Sequence, residues 1–164
     1  MLWRRGFFLK KAFILAAVGA ALGGTALHFL YDLLPNPLTA LIAPVNESVW
    51  EHLKLLYYPT LAAAFVLSRR VERENFYRLW GAFFVAVPVM PLVLSALYYL
   101  LLCAFGVMSV WVDIGLYYGV MAGGFALAYA LYRKGWAEKP AGFLLVPVIL
   151  FGAFLILLTF TSLQ

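Results

Sequence analysis

Seven ionisable side chains that could bind a metal ion or transfer a proton lie in otherwise apolar parts of the chain. They comprise both histidines, one lysine and four of the seven acidic residues. Imidazole and carboxylate groups are ligands for Zn²⁺, Mn²⁺ and Fe²⁺, and each can act as a general acid or base toward water. The seven residues are His28, Asp32, Glu47, Glu51, His52, Lys54 and Asp113.

The composition determines which surroundings these groups can have. The chain has 164 residues, of which 66% are hydrophobic and only 12% are charged. A soluble domain carries about 25% charged residues, so we expect a single integral membrane domain over residues 1–164 rather than a soluble enzyme or a nucleic-acid-binding protein. The expected partners are membrane lipids and no nucleic acid. The single cysteine, Cys103, allows neither an internal disulfide nor a cysteine-based zinc cluster.

Five apolar stretches are each long enough to cross a bilayer core of about 30 Å, which takes roughly 20 helical residues. They predict an all-α bundle of five transmembrane helices. Eleven of the twelve basic residues, including Arg4 and Arg5, precede the first stretch or lie between the second and third or the fourth and fifth. The positive-inside rule therefore places the N-terminus inside and the C-terminus outside. The predicted spans are approximately residues 12–34, 48–68, 79–105, 111–132 and 141–162.

The connection between the first two spans is rich in proline and remains apolar. Pro35, Pro37 and Pro44 interrupt it, and the six residues 38–43 are too few to cross a membrane. We expect an interfacial or re-entrant segment. Asn46 or Ser48 is a suitable N-cap for the next helix, and Glu51 follows Ser48 at the spacing of a capping box.

The ionisable residues fall at the outer ends of the first, second and fourth predicted spans. Helical spacing puts His28 and Asp32 on one face. It also predicts a second stripe on the next span, with His52 on the adjoining side. We therefore expect His28 and Asp32 to face Glu51 and His52 across a cavity, with Asp113 on its rim. The residues of the second stripe are Glu47, Glu51, Lys54 and Tyr58.

Three functions are compatible with such a cluster. The leading hypothesis is a small intramembrane metal-dependent hydrolase of a lipid or small amphiphile, with Zn, Mn or Fe as the metal. The second is an oligomeric transporter or ion-coupled permease that uses the same residues. The third is a structural protein in which Glu51 pairs with Lys54, His28 pairs with Asp32, and Asp113 caps its helix.

For the enzyme, we assign the polar residues to three roles. The predicted metal ligands are His28, Asp32 and His52, the acid–base groups are Glu47, Glu51 and Asp113, and the substrate-binding residues are Asn46, Lys54 and Tyr58.

The fourth predicted span carries a doubled GxxxG pattern at Gly115, Gly119 and Gly123. Glycines at this spacing allow two helix backbones to approach closely. The pattern is therefore compatible with packing inside the monomer and with a homodimer through this face.

The string APVNESVWEHLK, from Ala43 to Lys54, with Asn36-Pro37-Leu38 before it, resembles an uncharacterised family of small prokaryotic multispanning membrane proteins. His28 with Tyr31-Asp32, and Trp111-Val112-Asp113 further along, fit the same resemblance. It implies a multi-pass protein of a prokaryotic plasma membrane and supplies no activity.

Overall fold

A computed structural model describes the backbone of residues 2–162 and the side chains of residues 9–161, so the side chains of Arg4 and Arg5 lie outside the described residues. Within this part the chain forms helices and no strand. A single 3₁₀ turn, Arg73–Asn75, precedes α6. The eight α-helices are α1 (Leu2–His28), α2 (Leu30–Leu33), α3 (Pro37–Ile42), α4 (Val49–His52), α5 (Lys54–Ser68), α6 (Phe76–Phe105), α7 (Val110–Lys134) and α8 (Ala141–Ser162).

Four helical segments are long and apolar enough to cross a membrane: Leu9–His28, Arg73–Phe105, Val110–Lys134 and Ala141–Thr161. They correspond to four of the five predicted spans. The remaining predicted span, residues 48–68, is divided into the 4-residue α4 and the 15-residue α5. Only Leu53 separates the two helices, and its φ of −61° and ψ of −23° are themselves helical.

The centre of the bundle is α6, which packs against α5, α7 and α8, while α1 packs against α5 and α7. Aromatic side chains fill the core between α1, α6 and α7, where the ring of Phe13 lies 5.8 Å from Phe83 and 5.2 Å from Tyr129. At the opposite end of the bundle, α3 and α4 pack against α8, and Trp50 contacts Phe154. The short helices are therefore tied to one end of the bundle.

The first span was predicted to run to Leu34, and this was wrong, because α1 ends at His28. The amide of Phe29 bonds to the carbonyl of Ala26 at 3.3 Å, a tighter pattern than that of an α-helix. The chain then continues as the separate 4-residue helix α2. As a result His28 lies at the end of its helix rather than within it.

The proline-rich connection folds into α3. The side chain of Asn36 accepts hydrogen bonds from the amides of Leu38 and Thr39, at 2.9 and 3.1 Å, and Pro37 occupies the first helical position. The helix ends at Ile42, and the next residue, Ala43, is extended because it precedes Pro44. Ala40 and Ala43 are fully buried.

Ser48 is the N-cap of α4, and its hydroxyl accepts a hydrogen bond from the amide of Glu51 at 3.3 Å. The expectation that Asn46 or Ser48 caps this helix is thus confirmed for Ser48. The reciprocal bond of a capping box is replaced, because Asn46 Oδ1 accepts the amide of Ser48 at 3.0 Å. The carboxylate of Glu51 is thereby free to form other contacts.

The glycine stripe of α7 lies along an open groove between α6 and α7. A Cβ added at Gly115, Gly119 or Gly123 would meet nothing within 4 Å, whereas one added at Gly124 would collide with Met90. Gly124, and not the predicted stripe, therefore makes room for a side chain of α6. The homodimer through the stripe stays a prediction.

Candidate functional site

Three of the predicted site residues come together at the end of the bundle formed by α1 and α4. One ligand atom from each of His28, Glu47 and His52 lies within 4.8 Å of the other two. His28 ends α1, His52 ends α4, and Glu47 lies in the loop between α3 and α4. The two imidazole rings are 5.0 Å apart, centroid to centroid. We call these three residues the histidine cluster.

A backbone carbonyl orients His52. Its Nδ1 lies 2.8 Å from the carbonyl oxygen of Ser48, which can only accept a hydrogen bond. The proton is therefore on Nδ1 in neutral imidazole, and Nε2 carries a free lone pair. Nε2 lies 3.5 Å from Glu47 Oε2. This arrangement, an Nδ1–H bound to a carbonyl with Nε2 directed at a second ligand, is typical of metal-binding histidines.

The histidine cluster is open on one side. The side chain of Glu47 is 87% exposed and that of His52 is 25% exposed, while His28 is partly exposed. Even with His52 protonated, an ion pair at 3.5 Å with so exposed a carboxylate would contribute little to stability in water. The cluster therefore has no evident structural purpose of its own, and a small molecule could reach it.

Lys54 is in the opposite situation. It is fully buried, and its ammonium group donates to the carbonyls of Ala40 and Ala43, at 2.8 and 3.2 Å, and to Glu51 Oε2, at 2.5 Å. An ammonium group has three donors, so all of them are used. The predicted role of Lys54 in substrate binding would need a free donor, and in this structure all three are bound to protein acceptors.

Glu51 completes this internal network. It is 1% exposed, and its Oε2 also accepts the amide of Val45 at 3.1 Å. Its Oε1 is buried and accepts no hydrogen bond from the residues that the structure describes. Glu51 and Lys54, the latch pair, fasten the end of α3 and the start of the Glu47 loop to α4 and α5. Glu51 is not a member of the histidine cluster.

The two aspartates are not among the three ligand residues of the histidine cluster. Asp32 is exposed on α2, and Asp113 is exposed in the first turn of α7. Neither belongs to the group of three ligand atoms. The ring of His28 contacts Phe29 and His52. Among the described residues the ion pairs are Glu47–His52 and Glu51–Lys54, so the expected pair of His28 with Asp32 is not formed. The N-cap of α7 is Ser109 rather than Asp113.

The remaining predicted residues have supporting positions. Asn46 is exposed and holds the amide of Ser48, next to Glu47. Tyr58 is partly exposed and lies against Tyr57, with 5.1 Å between ring centroids. Sequence reasoning did not identify the Ser48 carbonyl as a contact of His52, although the four-residue spacing of Ser48 and His52 is compatible with it.

Comparison with known proteins gives a family and no activity. A match to a single family covers residues 1–163. The chain belongs to DUF6512, a family of unknown function. The resemblance to an uncharacterised family is thus confirmed. No curated protein and no solved structure matches the chain.

Proposed function

We propose that this member of DUF6512 is a metal-dependent hydrolase of a lipid or small amphiphile, with its site at the outer face of a prokaryotic plasma membrane. The observation that carries the proposal is the histidine cluster, whose three ligand atoms lie within 4.8 Å of one another. Two imidazoles and one carboxylate are a frequent ligand set of catalytic zinc and of non-haem iron.

The openness of the cluster supports a catalytic rather than a structural ion. Structural zinc sites are closed by four protein ligands, whereas catalytic sites keep a position for water. Three ligands with an exposed side fit the second kind. Bound zinc lowers the pKa of its water to about 7 and so supplies a nucleophile. Asp32 and Asp113, both exposed, are the remaining candidates for an acid–base group.

We further propose that α4 and α5 together form the fifth span, with α3 lying in the interface. Residues 49–68 are helical except at Leu53, which keeps helical dihedral angles. Arg78 donates to the carbonyls of Tyr132 and Arg133, so two of the basic connections lie side by side. This contact supports the positive-inside assignment, in which both connections face the cytoplasm.

Cysteine labelling in a Cys103→Ser background tests the topology. With five spans, a cysteine added after Gln164 reacts with an impermeant maleimide from outside, and Arg73→Cys reacts only after the membrane is opened. Labelling of both positions from the same side would contradict the five-span arrangement, because α6, α7 and α8 lie between them and make three crossings. A cysteine added before Met1 tests α4 and α5: with five spans it reacts from the same side as Arg73→Cys, and from the opposite side if α4 and α5 do not span.

Metal analysis tests the site. Purified protein equilibrated with Zn²⁺, Mn²⁺ or Fe²⁺ is expected to retain about one ion per chain. His28→Ala, His52→Ala and Glu47→Gln should each lower the affinity at least about 100-fold, since loss of an outer-shell partner alone costs about 10–100-fold.

Asp32→Asn and Asp113→Asn are the matched controls and should retain the ion. Equal retention by all five variants would contradict the cluster as a metal site. Ion-dependent uptake by liposomes that contain metal-free protein would instead favour the transporter.

A further inference from the structure

A long apolar groove of 650 Å³ runs along the surface between α1 and α5. Its lining on α1 extends from Ala12 to Leu27, a length of about 22 Å at 1.5 Å per residue. The bilayer core is about 30 Å thick, so the groove covers most of one crossing. Its walls are mostly apolar, and exposed residues such as Leu15 and Val66 leave it open along its side.

One end of the groove adjoins the histidine cluster. Leu27 lines this end and directly precedes His28, and Ile42 lines it from the end of α3. The other wall is formed by α5, where Pro59 lies seven residues after His52. Seven residues are about two helical turns, so the two residues lie on nearly the same face. Arg70 borders the far end. A molecule whose head group is at the cluster could thus place a chain in the groove.

We propose that the groove holds the hydrocarbon chain of a phosphate-bearing, single-chain lipid whose head group lies at the histidine cluster. This inference rests on the proposed function and specifies its substrate class. A metal ion held by the cluster attracts phosphate oxygens, and an apolar groove at membrane depth favours a hydrocarbon chain at roughly 0.8 kcal/mol per methylene group removed from water.

A second groove provides an internal control. It measures 520 Å³ and lies between α6 and α7, with Gly115, Gly119 and Gly123 along its wall. Val112 lines one end, so the nearest ionisable neighbour in sequence is Asp113, a single carboxylate. This groove has a similar volume and an equally apolar wall but no histidine cluster at its end. Chain binding driven by apolarity alone would therefore occupy both grooves.

The α1/α5 groove can be partly filled by replacing either of two glycines with a larger residue. A Cβ added at Gly19 or Gly23 would meet nothing within 4 Å, and the same holds at Gly119 in the other groove. Gly23→Leu and Gly19→Leu each fill part of the α1/α5 groove without entering the core. Gly119→Leu is the matched control, since it adds the same side chain to the other groove.

The test uses lysophosphatidic acid with a photoreactive diazirine at the end of its chain, incorporated into vesicles with the purified protein and Zn²⁺. Cross-links are expected near Ala12 and Ala16, at the end of the groove away from the cluster. Gly23→Leu should reduce them about tenfold, because the displacement of about two methylene groups costs that much affinity. Gly119→Leu should leave them unchanged, and Gly19→Leu should repeat the effect of Gly23→Leu.

Three results would overturn the inference. The first is an equal distribution of cross-links between the two grooves, and the second is insensitivity to both Gly19→Leu and Gly23→Leu. The third is labelling near Leu27 and Ile42, which would mean that the head group lies at Arg70 instead.

Metal content is measured on the same samples. One ion per chain without groove cross-links refutes this inference alone, whereas groove cross-links without any bound ion refute the proposed function and leave the chain site standing.

Discussion

Two members of the histidine cluster, Glu47 and His52, lie within a few residues of the latch pair in sequence, and the two groups differ in almost every physical respect. Lys54 uses all three donors on protein acceptors and is fully buried, and Glu51 is 1% exposed. Glu47 is 87% exposed, and its Oε2 lies 3.5 Å from His52 Nε2. Buried charges must be paired to be tolerated at all, while exposed and weakly paired ones gain little from each other. The latch pair therefore accounts for structure, and the cluster is where a ligand would act.

The largest expected effect is the loss of stability on breaking the latch pair. Lys54→Met leaves the buried carboxylate of Glu51 without its cation and removes the donor from two buried carbonyls. Breaking a buried ion pair in this way costs about 3–5 kcal/mol. Thermal unfolding in detergent should show a large decrease in melting temperature. Lys139→Met, which removes an exposed lysine, is the control and should change stability by less than about 0.5 kcal/mol. Similar melting temperatures for the two variants would show that the latch does not stabilise the fold.

A smaller loss is expected for Glu51→Gln. The amide oxygen of glutamine can still accept hydrogen bonds from Lys54 and Val45, so only the charge-assisted part of the interaction is lost, about 1–3 kcal/mol. Metal content should not change, because Glu51 lies outside the histidine cluster. Combined with Lys54→Met, the change should cost less than the sum of the two separate losses, since the second substitution removes a charge that the first has already left unpaired.

A different result for Glu51→Gln would make Glu51 a functional residue of the site. A melting temperature equal to that of the wild type, together with loss of the bound ion or of hydrolysis, would mean that ionisation of Glu51 serves chemistry rather than folding. Metal content and melting temperature must therefore be measured on the same preparations of Glu51→Gln and Lys54→Met.

The helical character of the chain and four of its candidate spans follow from length and hydropathy, because the apolar runs are long and continuous. The grouping of the site residues could only partly be predicted. Helical spacing places Glu47 and Glu51 on one stripe, but Glu47 precedes the N-cap Ser48 and lies outside the helix, where that spacing does not apply. Asp32 likewise lies on α2 rather than on α1, which ends at His28, and the ring of His28 lies 5.0 Å from that of His52.

The latch could be foreseen as the pairing of Glu51 with Lys54, since residues three apart are neighbours on a helix. The other contacts of Lys54 could not be foreseen. They are made with the carbonyls of Ala40 and Ala43, which become available only because Pro44 ends α3 and the connection folds back over α5. Backbone acceptors presented by a loop leave no signal in the residue types.

The smallest expected effect concerns the loop that carries Glu47. Asn46 Oδ1 holds the amide of Ser48 at 3.0 Å, so Asn46→Ala should loosen the loop at the cost of about 0.5–1.5 kcal/mol in stability. Loss of such an outer-shell contact lowers metal affinity by about tenfold or more. Asn36→Ala is the matched control, because Asn36 makes the same kind of side-chain bond at the start of α3, and its loss costs about 1 kcal/mol without touching the cluster. Metal titration should then give affinities for the two variants that differ by about tenfold, while their melting temperatures are similar. Equal affinities would mean that Glu47 does not depend on the ordered loop for its position, and would weaken the case that it is the third ligand.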